Sequence, residues 1–266
     1  TEAGFGFDLG GEKFLDVKCR EAGILPRAIV LVVTLRALKM HGGAEVKVAS
    51  EPDADKLAKG ISHLEKHLEN ARYFGLTPIV AVNAFPNDTD AELAQVEEAA
   101  RKLGARFARS TGFAQGGDGA LELAKVVCEV VDATDAAPPP AKYVYGASDS
   151  AEDKIRKIAR TVYGAKDVAF APAAEKSLER ARKLGYGALP ICMAKTQLSL
   201  SDDPKVPGRP EGFVVNVRDV RISAGAGFLV PLTGEMMTMP GLPKEPAAKG
   251  VKLQKDGSIR GLMQND

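Results

Sequence analysis

The chain has 266 residues, 45% hydrophobic and 27% charged, with a formal net charge of +1. That is ample for a buried core and more comfortable as two domains than one, and the interspersed, nearly balanced charge disfavours nucleic acid or an acidic membrane as a partner. Cys19, Cys128 and Cys192 lie far apart with no CxxC pair, which excludes a disulfide framework or a zinc knuckle, leaves no metal site to predict, and fits a reducing, cytoplasmic setting.

The first residues, TEAGFGFDLGGEKFLDVKC, carry no Met. They read as the interior of a domain, so a fragment, a processed chain or one half of a larger protein is expected. No signal peptide is recognisable, and no run approaches the roughly 18 apolar residues of a spanning helix. Residues 28–34, AIVLVVT, predict a strand covered on both faces. Between 54 and 74 the recurrence of Leu57, Ile61, Leu64, Leu68 and Ala71 predicts an amphipathic helix. His63 and His67 sit four apart beside that face; with no carboxylate motif around them they read as solvent-side residues rather than metal ligands. Gly75 ends the helix, and TPIVAVN (77–83) is the next buried strand. Thr89 to Glu92 form a capping box opening a helix to about Leu103. A short third strand is expected over 105–109, and Gly116 to Gly119 lead into a helix ending near Val131. The alternation predicts an α/β fold with a doubly wound parallel sheet.

DATDAAPPPA (132–141) reads as an extended linker, with a boundary near residue 138 dividing domains 1–137 and 138–266. Beyond it, Ser150 starts a helix carrying Ile155, Ile158, Ala159 and Val162. A second helix over about 173–184, a strand over 212–220 and a peripheral hairpin near the C-terminus make a smaller α+β domain. The segment 218–243 holds Gly225, Gly227, Gly234 and Gly241 among prolines. It is either a set of tight turns between strands or a loop that a ligand approaches closely.

Ligands collect at the carboxyl ends of strands in such sheets, which singles out the loops 36–43, 83–90 and 110–119. Asn83 in AVNAFPNDTD either reads a base or ties two loops together. Phe113 beside Gln115 and Gly116 is either a stacking platform for a flat ring or an ordinary core aromatic. Lys195, Thr196 and Gln197, together with Arg218 and Arg221, either hold carboxylate or phosphate groups or are solvated positions or structural ion pairs. Cys192 reads as a small buried hydrophobe. No GxxxxGK[ST], GxSxG or HExxH motif occurs, so the phosphate cradle of a P-loop enzyme is absent.

The blocks TEAGFG (1–6), EKFLDVKCR (12–20), RALKMHGG (36–43), LPICMAKTQ (189–197), RDVRISAGAGF (218–228) and PLTGEMMTMPGLP (231–243) together resemble formate–tetrahydrofolate ligase, in its C-terminal half. The resemblance implies a P-loop-NTPase-like sheet whose P-loop lies in the preceding half. It also implies a two-step reaction in which formate and ATP, with Mg2+, give formyl phosphate and tetrahydrofolate takes the formyl group. Phe113 matches an aromatic that stacks on the pterin, with Tyr145 as the opposite wall. Asn83, Ala3, Ser223, Ala224 and Gly225 fall on the nucleotide side, and Glu2 and Gly4 near the intermediate. The implied partners are the N-terminal half and, as a homotetramer, further copies. A non-catalytic folate-binding or assembly half-subunit is the alternative.

Overall fold

Five β-branched and apolar residues in succession, Ile29–Val33, form strand β1 in the computed structural model, which describes residues 1–234 and 244–261. Thr34 stops the strand and caps the next element, its hydroxyl accepting from the Ala37 amide at 3.1 Å, so helix α1 runs Leu35–His41. Helix α2, Ala54–Tyr73, is capped by the Asp53 carboxylate, and strand β2 follows over Pro78–Asn83. Helix α3, Asp90–Lys102, begins at Thr89 and leads to strand β3, Arg106–Ser110. The three strands pair in parallel in the order β1-β2-β3, with Asn83 level with Ser110 at the carboxyl end. Every residue of β2 from Pro78 to Val82 is buried, as expected for the middle of a parallel sheet covered on both faces.

The capping box forms, and its acid does more than cap. Glu92 takes the Thr89 hydroxyl at 3.0 Å on one oxygen; on the other it takes the Asp53 amide at 3.0 Å and the buried Lys39 ammonium at 3.1 Å. One carboxylate thereby joins α1, the start of α2 and α3. Gly42 and Gly60 let α1 and α2 touch backbone to backbone, since a Cβ on Gly60 would overlap the Leu38 carbonyl.

A one-turn helix α4, Gly112–Gln115, precedes helix α5, Leu121–Ala136. Here the structure corrects the expected linker: residues 132–136 are helical, because Asp and Ala do not break a helix. The chain leaves helical geometry at Ala137 (φ −144°, ψ 76°), the residue before Pro138.

Helix α6, Ala151–Ile158, is capped by Ser150; strand β4 is Asp167–Phe170 and helix α7 is Pro172–Lys183. Strand β5, Val214–Ser223, starts and ends later than the predicted 212–220 and pairs parallel with β4 and antiparallel with β6, Phe228–Thr233. Residues 224–227 make the turn of this hairpin, so the first part of the glycine-rich segment resolves into a tight turn between strands. Residues 235–243, with Gly241, lie outside the described residues. Phe7, Leu15, Phe74 and Leu76 pack in one core with Tyr145, Ile155, Tyr163 and Val217, mixing residues from both sides of position 138.

By its contacts the chain divides into a unit over Thr1–Glu235 and another over Met236–Asp266. In the second, Lys252–Leu253 and Ile259–Arg260 pair as the expected terminal hairpin. Among the described residues no helix is long and apolar enough to cross a membrane.

Candidate functional site

Two places on the larger unit bring sequence-predicted residues together. The first is the carboxyl edge of the parallel sheet. The Ala84 amide donates to the Ser110 carbonyl at 2.9 Å, tying the loops that leave β2 and β3. Asp88 then closes the first loop by accepting from the Phe85 amide at 2.8 Å, and Phe85 is turned outward. In the second loop Thr111 hydrogen-bonds Gln115 at 2.8 Å and the Gly119 carbonyl at 3.0 Å. The short helix α4 so fixed presents Phe113 with 86% of its surface exposed. The two rings lie 6.3 Å apart at 44°. Phe85 was not singled out in the sequence. The signal that could have found it is its place in a loop leaving a central parallel strand, beside the loop that carries Phe113.

Tyr145 does not face Phe113. It is 4% exposed and belongs to the core, its hydroxyl accepting from the Ile191 amide at 3.3 Å. Its ring is covered by the Arg20 guanidinium, 4.7 Å from the centroid. Burial, and next the nearby Glu12, push its phenol far above the usual range. The aromatic beside Phe113 is Phe85.

The second place is a groove of about 1090 Å³ lined by Glu2, Ala3 and Phe5, by β1, and by three imidazoles. Gly10 sits against the backbone of Gly4, where a Cβ would overlap the Gly4 carbonyl, and this holds the first residues against the helical turns Phe7–Gly11. His63 and His67 are half-buried and buried, not on the solvent side as read from the sequence; neighbours from α1 and from the loop before β5 cover that side of α2. The His41 and His63 rings stack at 3.5 Å, and His63 Nδ1 lies 2.9 Å from the Gly208 carbonyl. The Gly208 amide donates back to His41 Nδ1 at 3.3 Å. Burial is the main cause that lowers all three imidazoles, His41 to about 4 and His67 to about 3, with Asp8 opposing it in each case.

Beneath the groove Lys195 is fully buried, paired with Asp8 at 3.1 Å and donating to the carbonyls of Thr196, Ser199 and Ser201. It is therefore a structural ion pair. Gln197 lines the groove, whereas Arg218 and Arg221 are exposed along β5. Cys192 is half-buried, its thiol raised by burial. Ser223, Ala224 and Gly225 lie in the β5–β6 turn; like Asn83, Phe113 and Tyr145 they are not among the residues lining the groove. Among the described residues no group of three or more His, Cys, Asp or Glu is placed to hold a metal ion.

A parallel sheet with an aromatic pair at its carboxyl edge, and a groove along its first strand, defines a protein of the mixed α/β class, in which ligands ordinarily collect at such edges. The family model described as formate–tetrahydrofolate ligase matches residues 1–263. A formate–tetrahydrofolate ligase of Myxococcus xanthus is 57% identical over 266 residues, all of this chain and 48% of the relative. One of Methylobacterium nodulans is 52% identical over 263 residues, 98% of this chain and 47% of the relative. The chain belongs to the formate–tetrahydrofolate ligase family. It spans about half the length of these relatives.

Proposed function

We propose that this chain is the C-terminal half of an enzyme that joins formate to tetrahydrofolate at the expense of ATP. The observation that carries the reading is the Phe85–Phe113 pair at the sheet's carboxyl edge, in a chain of the ligase family. A flat ring held between two others needs roughly 7–8 Å from centroid to centroid, twice a carbon–carbon contact distance. The rings stand 6.3 Å apart and tilted by 44°, so Phe113, on one exposed helical turn, would have to move out and turn to face Phe85 across a third ring.

In the proposed reaction a formate oxygen attacks the γ-phosphorus, ADP leaves, and formyl phosphate forms. N10 of tetrahydrofolate then attacks the formyl carbon, phosphate departs, and the amine proton is lost. Carboxylate is a poor acyl donor, so phosphorylation supplies the leaving group, and positioning does most of the remaining work. Phe113 and Phe85 would orient the pterin. Ala3, Asn83 and the Ser223–Gly225 turn would border the nucleotide, and Glu2 and Gly4 the intermediate. Magnesium would arrive on the ATP phosphates; this chain's described residues offer no group of three or more His, Cys, Asp or Glu of their own for it. Within the whole enzyme the sheet would be part of a doubly wound, P-loop-NTPase-like one, in a cytoplasmic homotetramer.

The phosphate cradle is not in this sequence, so the chain alone should not turn over ATP, formate and tetrahydrofolate. The test is that assay on the lone chain and on a single chain in which the N-terminal half of the Myxococcus xanthus relative precedes Thr1. Substantial turnover by the lone chain would overturn the half-enzyme reading.

A further inference from the structure

Strand β1 is more apolar than its surroundings justify. It is an edge strand among the described residues, hydrogen-bonded only to β2, yet it reads IVLVV. Edge strands are ordinarily short, charged or covered, because a free row of amides and carbonyls recruits another strand. Residues two apart share a face of a strand. Ile29, Leu31 and Val33 pack towards the two cores, whereas Val30 and Val32 are 38% and 71% exposed. One strand further in, β2 is buried on both faces.

The exposed residues are continuous with others. Phe5, Ile24 and Leu25 are exposed apolar side chains lining the same groove as Val30 and Val32. Phe5 stands in left-handed geometry, φ +61°, the sole non-glycine residue among those described with a positive φ. Bulky side chains in that region cost on the order of 1–3 kcal/mol and persist where surroundings or function require them. Phe5 in this geometry stands exposed in the groove and not in the adjacent core.

From this geometry we infer that the β1 edge and the groove above it are the docking surface for the other half of the ligase. That half adds a strand parallel to β1 and an apolar element over Val30 and Val32. Two observations select this occupant. The relatives continue for about as many residues again as this chain covers, and a parallel neighbour requires a crossover segment, which a half of that size supplies. The groove also carries Glu2 and Ala3, so docking there would close the proposed reaction site between the halves. This inference rests on the half-enzyme reading and adds where the halves meet.

The experiment uses the single joined chain described above, with a protease site placed ahead of Thr1. After cleavage, size-exclusion chromatography with light scattering should show the halves co-eluting one to one. Val32→Lys, at an exposed position that leaves the core untouched, should weaken the association at least tenfold, as should Leu25→Glu; circular dichroism and melting of the lone variants check that they fold. Amides of residues 29–33 should exchange at least tenfold more slowly in the joined chain than in the lone one. Halves that separate on cleavage, or that stay together undiminished in both variants, would overturn the inference. So would self-association of the lone chain through Val32 without binding of the other half. Ligase turnover of the uncleaved chain is read separately. Its absence, with association still lost in Val32→Lys, would sink the functional reading and leave the docking surface standing; turnover with separable halves would do the reverse.

Discussion

The Nε2 atoms of His63 and His67 lie 3.0 Å apart, and only one of them carries a proton. The Gly208 carbonyl can only accept, so His63 must donate from Nδ1, and its Nε2 is then the acceptor in the neutral ring. His67 therefore donates from Nε2, which leaves its Nδ1 a buried acceptor without a partner among the described residues. A second proton on His63 would set two N–H groups against each other, and one on His67 would put a charged N–H at its buried Nδ1. The stack is built for neutral imidazoles.

Acid should consequently loosen the protein. The folded values of about 4 for His41 and about 3 for His67 lie below the ordinary 6.5. The stability they confer is present above pH 6.5 and is lost as pH falls through that window. For His41 alone the gap is worth on the order of 3 kcal/mol. Asp8 opposes the loss and Lys195 adds to it at His67. Urea midpoints measured from pH 7 to pH 4 should fall, and His67→Leu should flatten that fall. The same fall in His67→Leu as in the native chain would contradict the reading of His67 as a buried neutral imidazole.

Glu12 and Asp16 should tilt the balance the other way. Both are buried, Glu12 with neither oxygen partnered by a hydrogen bond of good geometry among the described residues. Burial first raises both, Asp16 to about 6, although Lys13 and the Val144 amide respectively oppose it. A raised folded value means that stability is present at low pH and declines as pH rises, for Asp16 between 3.8 and about 6. Glu12→Gln keeps the shape and removes the acid. It should stabilise the protein at pH 8 by about 1–3 kcal/mol, read from thermal melting, and its gain should vanish near pH 4.

Folate recognition should depend on the aromatic pair. Phe113→Ala, at a position too exposed to matter for folding, should weaken tetrahydrofolate binding about tenfold, as should Phe85→Ala, since such stacking is worth about 0.5–1.5 kcal/mol. Calorimetric titration of the joined chain measures it. Equal affinity in both variants would place the pterin elsewhere.

Gly60→Ala should be costly despite alanine's better helix propensity. The added methyl would overlap the Leu38 carbonyl and push α1 from α2, at about 1–3 kcal/mol for overpacking. Because His41 and His63 ride on those two helices, the same substitution should also raise the exchange rate of the Gly208 amide.

Much of the parallel layer was legible. The β-branched run 29–33, the apolar steps from Leu57 to Ala71 and the Thr89 capping box each announce themselves within a few residues, although the cover expected on both faces of 29–33 is not found among the described residues, where Val30 and Val32 are exposed. Their structured limits fall within a residue or two of expectation. What failed was non-local. His63 and His67 look solvent-facing when α2 is read alone, because the group that covers them, Gly208, is 145 positions beyond His63. Tyr145 was a binding wall only by resemblance, and nothing local shows that the core it enters is assembled from Leu15, Ile155 and Ile191, far apart in sequence. Phe85 was passed over for the opposite reason. Its loop was read for Asn83, and nothing local shows that two neighbouring parallel strands bring their loops to the same edge. The RALKMHGG block gains a physical reading from the fold: Lys39 meets Glu92, His41 brackets Gly208, and Gly42 permits the helix contact.

The chain has three histidines, and all of them are in the one stack. Any spectroscopic signal specific to imidazole therefore originates at a single place in the molecule. Histidine Cε1 resonances of the unmodified protein form a native, label-free reporter of whether the Gly208 loop is closed on α1 and α2. Because the groove that these rings line is also where the other half is inferred to dock, the same few peaks would register assembly without a tag, a fluorophore or a substitution.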